Sequence, residues 1–401
     1  MPRRTGNARG SRNGAVSRSA SKVLRFTHVT LRNWRNFAAV EVSLQRRGFL
    51  IGPNASGKSN FLDAFKFLHD IASVGGGFQE AVRKRGGVSK LRSLSARRYP
   101  DVTLRMKIGN DEDPAAWEYE LSFNQDKQRH PLVSEEKVKR GAETILVRPN
   151  EQDKADPARL TQTYLEQVNV NREFREVAAF FEGIRYLHIV PQLVREPERS
   201  VGRRNDPYGG DFLEQVARTQ ARTRGARLGR IREALSVAVP QLSELELTRD
   251  DRGTPHLRGR YEHWRPLGAW QAEDQFSDGT LRLLGLLWAV LDGSGPLLLE
   301  EPELSLHPDV VRHVPQMFAR VQKRTGRQII VSTHSTDLLQ DEGVGLNEVL
   351  LLQPGENGTD VRVATAFKEI VELVEAGVSL PEAVIPHTRP GQAQQLMLFG
   401  D

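Results

Sequence analysis

Two stretches far apart in the chain carry side chains suited to handling a phosphate chain. The first, GPNASGKSN, consists of Gly52, Pro53, Asn54, Ala55, Ser56, Gly57, Lys58, Ser59 and Asn60, with glycine, four residues, then Gly-Lys-Ser. Gly52 and Gly57 let the backbone curl so that successive amide N–H groups face phosphate oxygens, and the helix start that follows adds partial positive charge. Lys58 is then placed to reach the β- and γ-phosphates, and the Ser59 hydroxyl to ligate magnesium. The second stretch, GPLLLEEPELSLHP (295–308), ends a run of leucines with two adjacent glutamates. Carboxylates beside a buried strand are costly unless a cation, a proton or a donor compensates them. A triphosphate with its metal provides that compensation: Glu300 is the candidate metal ligand, directly or through water, and Glu301 the candidate base that polarises the attacking water. The competing reading is a solvated acidic start to the helix that begins at PDVV.

Two shorter motifs accompany them. QFSDGTLR places Ser277 and Gly279 directly before an apolar helix, a second helix N-terminus suited to an anion, although Ser-Asp-Gly is also an ordinary turn. Because the nucleotide already has one cradle, a second makes most sense if it serves the nucleotide of another copy in a head-to-tail homodimer. IIVSTHSTDLL ends a buried strand at His334, positioned to sense a γ-phosphate or orient water, or to serve structure alone.

The surrounding periodicity supplies the scaffold. GFLI (48–51) is a short buried strand, and after Ser59 the residues Phe61, Leu62, Phe65, Leu68 and Ile71 recur at helical spacing. From residue 279 onward helices alternate with strands PLLLEE, RQIIVSTH and EVLLLQ, which predicts a mainly parallel sheet flanked by helices. Between them, alternation at Val102, Leu104, Met106 and Ile108, and again at Trp117, Tyr119, Leu121 and Phe123, predicts half-buried antiparallel strands. Helical and Arg-rich segments follow, and ELELTRDDRGTPHLRGRYEH reads as a hairpin. The fold class is therefore α/β, a P-loop NTPase with an added antiparallel β subdomain and a helical insertion. The expected organisation is a disordered basic tail (1–22), an ATPase N-terminal lobe (23–73), an insertion (74–264), an ATPase C-terminal lobe (265–370), and a C-terminal helix with a flexible tail (371–401).

Composition narrows the class further. The chain of 401 residues has no cysteine, which excludes disulfides, thiolate zinc and thiol nucleophiles and fits a cytoplasmic location. Its longest apolar run, 283–291, is far short of the roughly 20 residues that span a bilayer, so no membrane association is expected. The net charge of +6 is accounted for by Arg3, Arg4, Arg9, Arg12, Arg18 and Lys22 in the tail. Nucleic-acid binding must then rest on local clusters. Arg83, Lys84, Arg85, Lys90, Arg92, Arg97 and Arg98 form one, and Arg218, Arg222, Arg224, Arg227, Arg230 and Arg232 another. Both suit a DNA backbone, or else form solvated faces or meet an acidic protein.

Together GPNASGKS, FSDGTLR, LLLEEPELSLHP and STHS, with the opening LRNWRNF, resemble the ABC-type ATPase heads of SMC, RecF and OLD-like proteins, over roughly 24–73 and 265–353. The resemblance implies ATP and Mg2+ as cofactors and ATP-gated homodimerisation. It implies Ser277 and Gly279 acting in trans, Glu301 as catalytic base, His334 as switch residue, and Ser305, Leu306 and His307 in a dimer-contacting loop. It further implies Gln192 as the glutamine completing the metal site, and Arg35 either reaching phosphate or remaining a solvated strand residue. The Glu-Glu-Pro-Glu form, where most ABC heads have aspartate at the first position, is familiar from OLD-like ATPases. No long heptad array argues for an SMC cohesion machine, and no acid cluster after His334 indicates a Toprim nuclease. The implied role is a DNA-associated ATPase working with a separately encoded nuclease-like effector in anti-phage defence or DNA repair. A transporter ATPase and a nucleotide-dependent scaffold with little turnover are the alternatives. The terminal QLMLF, with Gln395, Leu396, Leu398 and Phe399, resembles a sliding-clamp docking peptide, or else folds back on the body.

Overall fold

The computed structural model describes residues 21–95, 100–200, 205–262 and 269–389. Arg97, Arg98, the QLMLF segment and nearly all of the basic tail lie outside them.

The chain enters through β1 (Arg25–Trp34) and β2 (Phe37–Ser43), an antiparallel pair, then leaves them for β3 (Arg47–Ile51), which runs into the phosphate loop and helix α1 (Lys58–Ala72). Strands β4 (Val102–Gly109), β5 (Trp117–Gln125), β6 (Pro131–Arg140) and β7 (Glu143–Arg148) return to the first pair, giving an antiparallel sheet in the order β2-β1-β4-β5-β6-β7. Helix α2 (Arg175–Glu182) leads to β8 (Arg185–Leu187), and α3 (Ala221–Ala238) precedes a three-stranded sheet of β9 (Leu242–Arg249), β10 (Pro255–Tyr261) and β11 (Ala269–Ala272). The last block is α4 (Asp278–Leu291), β12 (Leu297–Glu300), α5 (Pro308–Thr325), β13 (Ile329–Thr333), β14 (Val349–Gly355) and β15 (Gly358–Val363).

The second large sheet has the order β15-β14-β3-β13-β12-β8 and is parallel except for β15. Its central strands β3, β13 and β12 and the first half of β14 are buried on both faces, as covered parallel sheets require. Leu50, Leu298, Ile330 and Leu350 point into a core shared with α1 and the antiparallel sheet. Phe49, Leu297, Leu299, Ile329, Val331 and Leu351 point into the opposite core with α4 and α5. Helix α1 is thus held between two sheets by Phe61, Phe65, Phe67 and Leu68, all fully buried. Buried Gln328 joins the sheets where they meet: its side chain accepts from Phe26 N at 2.9 Å and donates to Phe26 O and Gln45 O, both at 2.8 Å, as a strand backbone would.

Connectivity cuts across the expected boundaries. The strands of the N-terminal lobe and of the insertion are one antiparallel sheet, because β1 pairs with β4 over residues Arg25–Arg32. Strand β8, from within the insertion, is the edge of the parallel sheet.

Candidate ATP site

The phosphate loop is closed by geometry that depends on its two glycines. Gly57 has φ +95°, and a Cβ there would lie 2.1 Å from Asn36 Nδ2. A Cβ on Gly52 would lie 2.6 Å from Leu352 O. Ala55 is also left-handed, at φ +60°. Asn36, from the turn between β1 and β2, braces the loop by donating to Ser56 O at 3.0 Å and accepting from Asn60 Nδ2 at 2.8 Å. Trp34 Nε1 donates to Asn60 O at 2.8 Å. Thus LRNWRNF serves the site through Trp34 and Asn36.

Inside the loop, the Lys58 ammonium donates to Gly52 O at 2.9 Å and Pro53 O at 3.0 Å. Burial pushes its pKa down to about 8, against the opposing pull of Glu301, Glu300 and Glu303. It also lies 3.4 Å from His334 Nδ1, while His334 Nε2 lies 3.0 Å from Glu301 Oε1. Burial and then the Lys58 charge push the His334 pKa down, favouring a neutral ring. A neutral imidazole accepting from Lys58 at Nδ1 must donate from Nε2, which gives a directed chain from Lys58 through His334 to Glu301.

The two adjacent acids part company at the end of β12. Glu300 accepts from the Ser59 hydroxyl with one oxygen and from the Tyr186 hydroxyl with the other, and His188 Nδ1 lies 3.2 Å from its carbonyl oxygen. Burial, with a contribution from Glu301, raises its pKa. Glu301 turns away with φ +45°, a backbone that costs an L-residue roughly 1–2 kcal/mol. Its N–H donates to Ser332 O at 2.9 Å, so the neighbouring strand helps hold the turn.

The remaining expected residues lie as follows. The Ser277 hydroxyl caps α4 by accepting from Thr280 N at 3.1 Å. Gly279 abuts the loop after Glu301, since a Cβ there would stand 2.5 Å from Ser305 O. Among the described residues no hydrogen bond joins Ser277 to the phosphate loop. Arg35 does not reach into the loop: its guanidinium is bound to Asp63 of α1, at 2.7 Å. Gln192 is exposed on the one-turn helix Pro191–Val194, and the side chains beside Glu300 from this region are Tyr186 and His188 instead. Sequence reasoning missed these two, along with Asn36 and Glu303. Alternation along IRYLHIV puts Tyr186 and His188 on one face, but the β8–β12 register that aims them at Glu300 is not visible in the sequence.

The basic clusters, acid-free in sequence, are partly neutralised in space. Buried Arg85 binds Asp63 at 2.7 Å and Asp70 at 2.8 Å, and Arg83 binds Glu80 at 2.7 Å. Arg227 binds Asp292 at 2.6 Å, and Arg224 donates to Ala217 O and Thr219 O. Lys90, Arg92, Arg222, Arg230 and Arg232 remain exposed.

A phosphate loop on a parallel sheet, an acid pair on the second strand over and a histidine on the strand between them define a P-loop ATPase head. Solved structures with this fold include an SMC head bound to the C-winged helix domain of ScpA (TM-score 0.54, 14% identity, 84% of this chain and 96% of that one). Another is the Smc head of Pyrococcus furiosus with an extended coiled coil, bound to the C-terminal domain of ScpA (TM-score 0.52, 12% identity, 88% of this chain and 100% of that one). The resemblance to SMC-type heads is borne out at the level of fold.

Residues 49–340 match the family described as "AAA domain, putative AbiEii toxin, Type IV TA system", and the chain belongs to it. Residues 26–69 also match the P-loop containing region of AAA domain. Among curated proteins, Endonuclease GajA of Bacillus cereus (strain VD045) is 34% identical over 67 residues, 17% of this chain. The match spans only 12% of GajA's length. Among the described residues no helix is long and apolar enough to cross a membrane.

Proposed function

We propose that this chain binds ATP with Mg2+, closes head-to-tail as a homodimer around two nucleotides, and hydrolyses them. The observation that carries this reading is the convergence of Lys58, Ser59, Glu300, Glu301 and His334, from three separate segments, on one mouth of the sheet.

Lys58 binds the terminal phosphates in place of the carbonyl oxygens it now touches. Ser59 and Glu300 are hard oxygen donors already in contact, which fits a magnesium ion. That ion, when bound, neutralises phosphate charge. Glu301 takes the proton of the attacking water, and His334 holds its carboxylate in place. Ser277 and Gly279 act on the partner's nucleotide, beside the loop from Ser305 to His307. DNA contact is assigned to the cations left exposed, Lys90, Arg92, Arg222, Arg230 and Arg232. A separately encoded nuclease-like effector completes the system, in anti-phage defence or repair; the partial likeness to a protein named as an endonuclease supports the link to nuclease work.

The Glu301→Gln variant tests the reading. It should lose about 100-fold or more in hydrolysis, in the range ascribed to general bases, while accumulating an ATP-dependent dimer by light scattering. Absence of ATP uptake by the wild type, or wild-type turnover in the variant, rules the reading out.

A further inference from the structure

Glu303 is a buried carboxyl that the mechanism above leaves without a task. It is 8% exposed, and one of its oxygens, Oε1, accepts from the Thr333 hydroxyl and from His334 N–H, the latter at 3.3 Å. The other, Oε2, is buried with no hydrogen-bond partner among the described residues. Thr333 and His334 are the last residue of β13 and its successor. Glu303 lies two positions past Glu301 in the turn after β12. The carboxyl therefore pins the end of one strand to the turn leaving its neighbour.

The connections form a closed ring. The Glu301 side chain meets His334 Nε2 at 3.0 Å, His334 N–H donates to Glu303, and Glu303 leads back through Pro302 to Glu301. His334 is thus held at the imidazole by one glutamate and at the backbone by the other.

We propose that Glu303 is a positioning residue of the hydrolytic site, fixing the backbone of His334 so that its ring aims at Glu301. The inference rests on the ATP reading. A carboxyl that spends one oxygen on two donors and leaves the other dry is a poor general-purpose anchor, since an unpartnered buried polar atom costs stability. Its location makes sense where two catalytic side chains must keep a common frame. Burial raises the Glu303 pKa, with Glu301 adding to the effect, and favours a neutral group. Glutamine is the isostere of that form and keeps the oxygen that both donors use.

The test measures nucleotide affinity with a fluorescent ATP analogue and single-turnover hydrolysis separately, on the full chain. Glu303→Ala should slow hydrolysis about 10- to 100-fold, the scale of an ångström-sized misplacement, with affinity kept within about threefold. Thr333→Val, which removes one donor and leaves the carboxyl, should slow it in the same direction by less. Glu303→Gln should restore hydrolysis to within about threefold of wild type. In a His334→Ala background, Glu303→Ala should add less than about threefold, because its route of action is already gone. Multiplicative effects in the double variant, wild-type hydrolysis in Glu303→Ala, or loss of affinity matching loss of rate each overturn the assignment. A wild type that fails to bind the analogue overturns the ATP reading instead, so the two failures are distinct.

Discussion

Placing a methyl group on Gly57 tests whether Asn36 and the phosphate loop form one mechanical unit. The backbone term is the cost of an L-residue at φ +95°, roughly 1–2 kcal/mol. The steric term follows from a Cβ that would stand 2.1 Å from Asn36 Nδ2 and 2.6 Å from Asn36 Oδ1. Asn36 must swing away, giving up its bonds to Ser56 O, Thr359 Oγ1 and Asn60 Nδ2. At about 0.5–1.5 kcal/mol each, these come to roughly 1.5–4.5 kcal/mol. Gly57→Ala should therefore cost about 2.5–6.5 kcal/mol, and Asn36→Ala about 1.5–4.5 kcal/mol, through the same three bonds. In the double variant the bonds are lost only once and the space is open, so Gly57→Ala should add only about 1–2 kcal/mol to Asn36→Ala. Urea unfolding of the four proteins, with ATP affinity measured alongside, gives the coupling. Costs that add within about 0.5 kcal/mol would refute the idea that Asn36 is what the missing Cβ makes room for.

Two further outcomes follow from charges in the structure. Burial pushes the Glu166 carboxyl up from 4.5 to about 7, so between those values the folded chain keeps a proton that the unfolded chain has lost. Stability should fall as pH rises through that window, with a penalty of about 3 kcal/mol present in full above pH 7 and absent below pH 4.5. Glu166→Gln keeps the acceptor for Phe78 N–H and should gain over wild type in thermal melts as pH rises from 5 to 8; parallel curves would contradict this. For DNA, reversing Arg222, Arg230 and Arg232 to glutamate should weaken duplex binding and lower the logarithmic salt slope by up to about 3, close to one for each phosphate no longer neutralised. An unchanged slope, or no binding by the wild type at low salt, would remove these residues from the DNA interface.

Local chemistry explains why part of the site was legible in the sequence. The Gly-Lys-Ser spacing has meaning because GFLI precedes it and a helical stripe follows it, all within a few residues. The same holds for Glu300 and Glu301, whose placement at the end of a leucine strand already implied a charged ligand. What stayed hidden depends on pairings between distant segments. Arg85 is neutralised by Asp63 on α1, and Arg227 by Asp292 at the end of α4, so counting arginines along the chain overstated the free charge. Arg35 was deflected in the same way, because Asp63 offers it a carboxylate before any phosphate can.

The misplaced glutamine illustrates the limit most directly. Gln192 sits one residue after Pro191, and proline at the first helical position starts a turn that carries Gln192 to the surface. The metal-side carboxylate nevertheless needs a polar partner from this part of the chain, and the strand just before that turn provides one: pairing of Leu187 with Leu299 brings Tyr186 and His188 alongside Glu300. The requirement was physical and could be read from Glu300 alone. Which side chain meets it is decided by strand register, and register is set by the packing of both sheet faces rather than by any motif.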